Sequence, residues 1–222
     1  MWKHPGIALL ATAAAALTIG LGASRALAAT TWTVTPGGNV TATSAGQMIL
    51  VDTTANQFLP ECKPTSLKAT FKNGGGQSGA GIGSITSATF SNCVWVLSYT
   101  FTLTSSGLPW QLNVRQYDPS TGVTTGTITG IHITIAGSDC GAVVDGTGAN
   151  ADNGQVDVTY TNSTHKLKML TTGGNLHYYD VIGCLSLVNS GDAAEIAAIS
   201  KGTGKLSALT YTVSPAQTIT KP

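Results

Sequence analysis

The sequence predicts an all-β protein, an antiparallel β-sandwich or a Greek-key barrel of about a dozen strands. Hydrophobic and polar residues alternate with a period of two, and clusters of Gly, Asn, Asp and Pro separate these runs at short intervals. No long helical pattern comes between them. Successive side chains of a strand point to opposite faces, so the alternation predicts strands with one buried face and one polar face. Short strands at regular spacing are typical of sandwiches and barrels and argue against a parallel α/β fold.

The first 28 residues have the three parts of a secretory signal peptide. Lys3 and His4 give a basic start, residues 7–22 form an uncharged apolar run, and Ala26-Leu27-Ala28 supplies the small residues that signal peptidase reads. The apolar run is shorter than the roughly 18 residues of a membrane-spanning helix, and no later run reaches that length. We therefore expect a signal peptide over 1–28 and a single secreted β domain over 29–222. An uncleaved anchor is the alternative.

The clearest strands lie in the second half of the chain. Their apolar faces are formed by Tyr99, Phe101 and Leu103; Trp110, Leu112 and Val114; Ile131, Ile133 and Ile135; Val156, Val158 and Tyr160; and Leu209, Tyr211 and Val213. Between the runs, glycines permit positive φ angles, while Asn and Asp side chains close turns on their own backbone.

One segment departs from the alternation. Asp192 to Glu195 has the form of a capping box, an apolar run follows it, and Gly202 provides a stop signal. This pattern predicts a short helix near 192–200, with an irregular strand as the alternative.

Four cysteines, Cys62, Cys93, Cys140 and Cys184, follow the leader. Exported proteins meet an oxidising environment, so we expect disulfides, for which four cysteines allow three pairings. Pairing Cys62 with Cys93 and Cys140 with Cys184 is favoured, because each bond then closes one half of the chain and each second cysteine ends a similar strand-like run. Metal binding is the alternative, but no C-x-x-C spacing or neighbouring histidine pair supports it.

Charge is sparse and nearly balanced. The chain has 11 basic and 10 acidic residues, and removal of Lys3 and Arg25 with the leader leaves a net charge near −1. No basic stripe is available for a phosphate backbone, so nucleic acid is not an expected partner. Thr, Ser, Gly and Asn carry the polarity instead, as is typical of extracellular β proteins.

The residues that could support catalysis are scattered along the chain. His132, His165 and His177 form no closely spaced ligand pair. The S-x-x-K string of residues 163–166 lacks a helical context, and we expect it at a hairpin tip. Two acidic pairs, Asp52 with Glu61 and Asp139 with Asp145, could serve glycoside chemistry only across a groove, and solvated loop carboxylates are the simpler interpretation. We therefore assign no catalytic residue, metal ligand or cofactor.

The interpretation of two further groups of residues remains open. The oxygen-rich bend of Asp145, Asn150, Asp152 and Asn153 suits either calcium or, as we favour, a turn capped by its own side chains. The aromatic residues could form a carbohydrate platform, although most are expected in the core; they are Trp32, Trp95, Trp110, Tyr99, Tyr117, Tyr178 and Tyr179. Trp95 is the least explained, because it could pack on a disulfide or lie exposed near a site.

Four stretches resemble a group of small secreted β-rich proteins from actinobacteria with no settled function. They are residues 79–85, Leu108-Pro109-Trp110, residues 122–131 and residues 211–215. The resemblance covers most of the mature region and implies an exported β domain with paired cysteines. It transfers no catalytic residue.

These observations favour a non-enzymatic β domain outside the cell or on its envelope, with a binding or surface role. A cell-envelope polymer or another protein surface is the expected partner, with a small apolar ligand as a further possibility, and no membrane span is expected after removal of the signal peptide. One alternative is a secreted hydrolase of an envelope polysaccharide or ester, which requires a cleft with two carboxylates or a serine beside a histidine. Another is a subunit of a pore or fibre, suggested by strands with one Thr- and Ser-rich face.

Overall fold

The computed structural model describes residues 31–95, 99–200 and 203–222, so the signal peptide expected over 1–28 lies outside the described residues. The described chain forms 19 strands and one short 3-10 turn, Cys184–Ser186. This confirms the all-β antiparallel class. The strands outnumber the predicted dozen because several span only two to four residues, too few for alternation to reveal. No helix in the described part of the chain has the length and apolar character that a membrane crossing requires.

Eight antiparallel strands close into a barrel. In pairing order they are β2 (Gly38–Ser44), β5 (Thr65–Phe71), β7 (Gly83–Phe90), β10 (Trp110–Asp118), β11 (Val123–Gly137), β13 (Gly154–Thr161), β14 (Lys166–Met169) and β18 (Leu209–Ser214), which pairs again with β2. The inward side chains of these strands are apolar and fill the interior. They leave a cavity of about 30 Å³, lined by residues such as Leu67, Leu112 and Val158, which has room for about one water molecule.

The second half of β11 continues beyond the barrel into a further group of strands, which we call the arc. In pairing order the arc consists of β15 (His177–Gly183), β12 (Cys140–Asp145), β11, β9 (Thr100–Ser106), β8 (Cys93–Val94), β4 (Gln57–Cys62), β3 (Gln47–Asp52) and β16 (Ala194–Ile199). Its first and last strands meet at a single bridge between His177 and Ala193. One continuous apolar core runs from the barrel into the arc.

The remaining strands lie at the margins. β17 (Leu206–Ser207) pairs with β16, and β1 (Trp32–Thr35), β6 (Gly74–Gln77) and β19 (Thr218–Thr220) form a separate three-stranded sheet. Asn162 fixes the last strand to the barrel, because its side chain accepts from the Ile219 N–H and donates to the Ile219 carbonyl, both at 2.9 Å.

The short helix predicted near 192–200 is wrong, since this segment forms strand β16. It pairs with β3 over six residues, from Ala194 opposite Asp52 to Ile199 opposite Gln47. Ile196 faces the main core, whereas Ala197 packs in a small cluster on the other face. A strand buried on both faces has an unbroken apolar run, which cannot be distinguished from a buried helical segment by periodicity.

Both disulfides lie in the arc and have the pairing that the sequence favours. Cys62 is bonded to Cys93, joining β4 to β8, and Cys140 is bonded to Cys184, joining β12 to the turn that follows β15. The described chain contains no free cysteine.

Candidate functional site

A polar cluster surrounds His132 on the outer face of the arc. Its Nδ1 atom lies 2.8 Å from Oδ1 of Asp152 and 3.2 Å from Oδ2 of Asp145. The alternation of β11 correctly places His132 opposite its inward isoleucines. His132 is nevertheless only 8% exposed, because the segment between β12 and β13 brings these two carboxylates against it.

Asp145 anchors this connecting segment. Its Oδ1 accepts the backbone N–H groups of Gly146, Asn153 and Gly154, and its Oδ2 accepts those of Ala151 and Asp152, at distances of 2.6 to 3.1 Å. Burial alone would raise the pKa of Asp145, but the backbone N–H donors and the neighbouring His132 outweigh it and hold the pKa below its ordinary value. The carboxylate therefore orders the loop.

The same cluster has the residue types of a metal site. The ligand atoms of His132, Asp145 and Asp152 lie within 4.8 Å of one another. Each oxygen of Asp145 already accepts at least two backbone N–H groups, which leaves little coordinating capacity for a cation. Asn153 also bonds within the loop, accepting the Thr147 N–H at 2.9 Å. These contacts match the turn interpretation favoured for this bend.

A serine lies across the sheet from His132. Ser106 of β9 is its pairing partner, so both side chains project from the outer face of the arc. The Nδ1 atom of His132 is directed at carboxylates, which is the orientation a general base needs for its second nitrogen to remain free. No hydrogen bond joins the Ser106 hydroxyl to the imidazole, so the contact between nucleophile and base is not formed.

The other candidates named from the sequence do not converge. His165 and the S-x-x-K string occupy the turn between β13 and β14. Asp52 is not paired with Glu61 and instead contacts Asp192. Burial and then the neighbouring Asp192 raise the pKa of Asp52, and they outweigh the backbone N–H groups of Ala55 and Thr54, which lower it. Among the aromatic residues, Trp32, Trp110 and Tyr178 are buried in the core.

A cleft of about 170 Å³ opens at the end of β11 that is farthest from the barrel. We call it the distal cleft; its lining residues are Trp95, Tyr99, Phe101, Ser138, Asp139, Cys140, Cys184 and Leu185. Phe101 reaches this position because it pairs with Gly137, the last residue of β11. A Cβ atom at residue 137 would lie 2.6 Å from the Phe101 ring, so glycine is what allows the ring to pack there.

Aromatic rings form one wall of the distal cleft. The rings of Trp95 and Phe101 are 6.1 Å apart at an angle of 69°. The indole N–H of Trp95 donates to the backbone carbonyl of Phe58. The polar atom of the indole is therefore already bonded within the protein, and the ring offers an apolar, π-rich surface to the cleft. Trp95 is half-buried and lines the same cleft as Cys140 and Cys184.

Cys184 and Leu185 of the lining belong to a turn with an unusual backbone. Cys184, Leu185 and Ser186 have consecutive φ angles of 57°, 55° and 57°. The left-handed region costs non-glycine residues about 1 to 2 kcal/mol each, so the surroundings must hold the turn in place. The disulfide to Cys140 and the hydrogen bond from the Cys184 N–H to the Asp139 carbonyl, at 2.9 Å, do so.

Two exposed apolar side chains line the distal cleft. Among the described residues, the large hydrophobic side chains that are exposed belong to Phe58, Val94, Tyr99, Ile182 and Leu185. Tyr99 and Leu185 line the cleft, and Leu185 is 64% exposed. Exposed apolar surface in a cleft is characteristic of an interaction site.

The sequence pointed to only part of this site. We expect Tyr99 and Phe101 on a buried face with Leu103; Leu103 is buried and Phe101 is half-buried against the core, but Tyr99 precedes β9 and is exposed. Nothing in the sequence marks Leu185 as exposed, because its exposure results from a left-handed turn conformation that leucine disfavours.

Comparison with protein-family models, curated proteins and solved structures returns no match for this chain.

Proposed function

We propose that this protein is a non-enzymatic binding protein that is exported and recognises a component of the cell envelope. The observation that carries the proposal is the distal cleft, where three aromatic side chains, an exposed leucine and one carboxylate meet at one end of the arc. Ligand sites are commonly concave and mostly apolar, with a few polar groups that orient the ligand.

Rigidity supports a binding role for this cleft. The disulfide between Cys140 and Cys184 and the hydrogen-bonded left-handed turn hold Leu185 toward solvent before any ligand arrives. A surface that is ordered in advance loses less conformational entropy on association. Exposed apolar groups also lower solubility, so Tyr99 and Leu185 together in one cleft are more useful to a binding protein than to an inert one.

Export is supported by the leader-like first 28 residues and by the two disulfides. Disulfides persist in oxidising compartments and are rare in the cytosol. The envelope is the partner that such a protein meets first after export.

Cosedimentation with purified cell-wall material tests this proposal. The secreted protein should pellet with the wall, and Tyr99→Ala should reduce the bound fraction because it removes an exposed ring from the cleft. Tyr117→Ala is the control for loss of an aromatic ring elsewhere, on β10 of the barrel; because this ring is half-buried against the core, the thermal unfolding of both variants is compared first. Equal binding by both variants, or no binding by the native protein, would refute the proposal.

A second candidate, hydrolysis of an envelope ester or polysaccharide, is favoured by one observation. Ser106 lies across from His132, whose Nδ1 faces Asp152 and Asp145. If this group is catalytic, the native protein should hydrolyse an activated ester such as p-nitrophenyl acetate, and Ser106→Ala should abolish turnover while leaving the thermal unfolding curve unchanged. Equal rates for the native protein and Ser106→Ala would remove this candidate.

A further inference from the structure

We infer that the distal cleft binds an organic cation, a quaternary or methylated ammonium group. This inference rests on the proposed binding function and specifies the chemical class of the group recognised. It follows from the shape of the aromatic wall, from the charge of the lining and from which polar atoms remain free.

The aromatic wall suits a rounded cation better than a flat sugar ring. A pyranose stacks on one ring or on coplanar rings, whereas Trp95 and Phe101 are inclined at 69° to each other. Tyr99, which is 41% exposed, adds a third ring. Trp95 and Phe101 pack edge to face, which covers part of one ring, so a ligand meets the exposed Tyr99 ring and the uncovered faces of the other two. A cation over such a face is attracted by the ring quadrupole, and quaternary ammonium ligands are recognised in this way.

The charge of the lining has a single sign. Asp139 is its one ionisable carboxylate, and none of the lining residues is Lys, Arg or His. Asp139 lies at the exposed turn between β11 and β12, with its Oδ2 accepting the Ser138 hydroxyl at 2.7 Å. No described side chain or backbone group donates to its Oδ1, which is available to a ligand. A carboxylate beside aromatic rings complements a positive charge.

The remaining polar groups argue against a neutral polar ligand. The Trp95 indole N–H donates to Phe58, and the Ser138 hydroxyl donates to Asp139. The Tyr99 hydroxyl is then the remaining side-chain donor of the lining, so a sugar would find few donors there. A quaternary ammonium group needs none, because it has no N–H donor and no acceptor and is held by its charge and its apolar surface.

The volume sets the size of the group. At about 170 Å³ the cleft is smaller than the roughly 300 to 1,000 Å³ of sites for drug-sized ligands. It therefore accommodates a small headgroup, and a larger molecule bearing that group would extend over the surrounding apolar surface.

Calorimetric titration of the mature protein with choline chloride tests the inference, with 3,3-dimethylbutan-1-ol as a neutral analogue of the same shape. Choline should bind about tenfold more tightly than the alcohol, because cation–π attraction and the carboxylate act only on the charged ligand. Equal affinities, or no binding of either compound, would overturn the inference.

Variants locate the effect. Asp139→Asn should weaken choline binding about five- to tenfold while leaving the affinity for the alcohol unchanged. Asp180→Asn, at an exposed position of β15, is the matched control and should bind choline like the native protein. Tyr99→Leu removes a ring at an exposed position and should also weaken choline binding. If one of the two variants misfolds, the other still tests the inference. Native affinity in both Asp139→Asn and Tyr99→Leu would overturn the inference.

Phosphatidylcholine vesicles distinguish the source of the group. Cosedimentation with them points to a lipid headgroup, whereas binding of free choline alone points to a soluble or polymer-attached ammonium compound; both outcomes support the shared chemistry. If choline fails to bind while cell-wall binding still depends on Tyr99, the cation inference is wrong and the proposed function stands. If neither depends on the cleft, both fail.

Discussion

The substitution Asp145→Asn removes the anchor of the segment between β12 and β13. The amide keeps one acceptor oxygen and puts an NH₂ group in place of the other. When its oxygen occupies the position of Oδ1, which has three backbone donors, the NH₂ group faces the N–H groups of Ala151 and Asp152. An unsatisfied buried donor costs about 1 to 3 kcal/mol. Because these two donors are only partly buried, we expect a loss of about 3 kcal/mol in total.

Thermal unfolding measures this loss. For a chain of this length, 1 kcal/mol corresponds to about 2 to 4 °C, so Asp145→Asn should lower Tm by about 6 to 12 °C at pH 7. Asp180→Asn is the control, since it makes the same chemical change at an exposed position, and its Tm should stay within about 1 °C of the native value.

The pH dependence provides a second test of the same role. Because the folded protein holds the pKa of Asp145 below its ordinary value, its stabilisation is present above the unfolded pKa of about 3.9 and is lost as pH falls through the folded pKa. The Tm difference between the native protein and Asp145→Asn should therefore be largest near neutral pH and shrink below about pH 4. A native Tm for Asp145→Asn at pH 7, or a Tm difference independent of pH, would refute the assigned role.

Three further changes test other parts of the structure. Asp52→Asn should raise the free energy of unfolding at pH 7, because burial and then Asp192 raise the folded pKa of Asp52, so that ionisation opposes folding; a loss of stability in urea would contradict this. Joint replacement of Cys140 and Cys184 by alanine opens a loop of 44 residues and should cost about 4 kcal/mol in the same assay, whereas an unchanged midpoint would show that the bond adds nothing. Gly137→Ala should displace the adjacent phenyl ring and shift the NMR signals of the cleft aromatics, and an unchanged spectrum would show that the ring does not need that space.

The local pattern predicted the class of the fold but not its closure. Alternation in β10, β11 and β13 is visible in the sequence, and so are the turns between them. The barrel also requires β2 to pair with β18, nearly the whole described chain away. Local sequence patterns do not show which distant strands pair. They therefore leave the choice between a sandwich and a barrel open.

The candidate site was less accessible to prediction because burial there depends on tertiary position. Tyr99 and Leu103 look equivalent within one alternating run, yet Leu103 is buried and Tyr99 is exposed. His132 shows the reverse case: its strand face was correctly predicted as the polar one, but two carboxylates from a neighbouring loop cover it. The capping box at Asp192 misled for a related reason, because pairing with β3 overrides the local helical signal.

Residue-resolved NMR during titration with soluble cell-wall fragments tests the central claim, that the distal cleft is the ligand site. We expect the amide shifts to concentrate in residues 99–101, 138–140 and 184–185, which meet at the cleft. Shifts confined to the surroundings of His132, or spread evenly over the barrel, would contradict it.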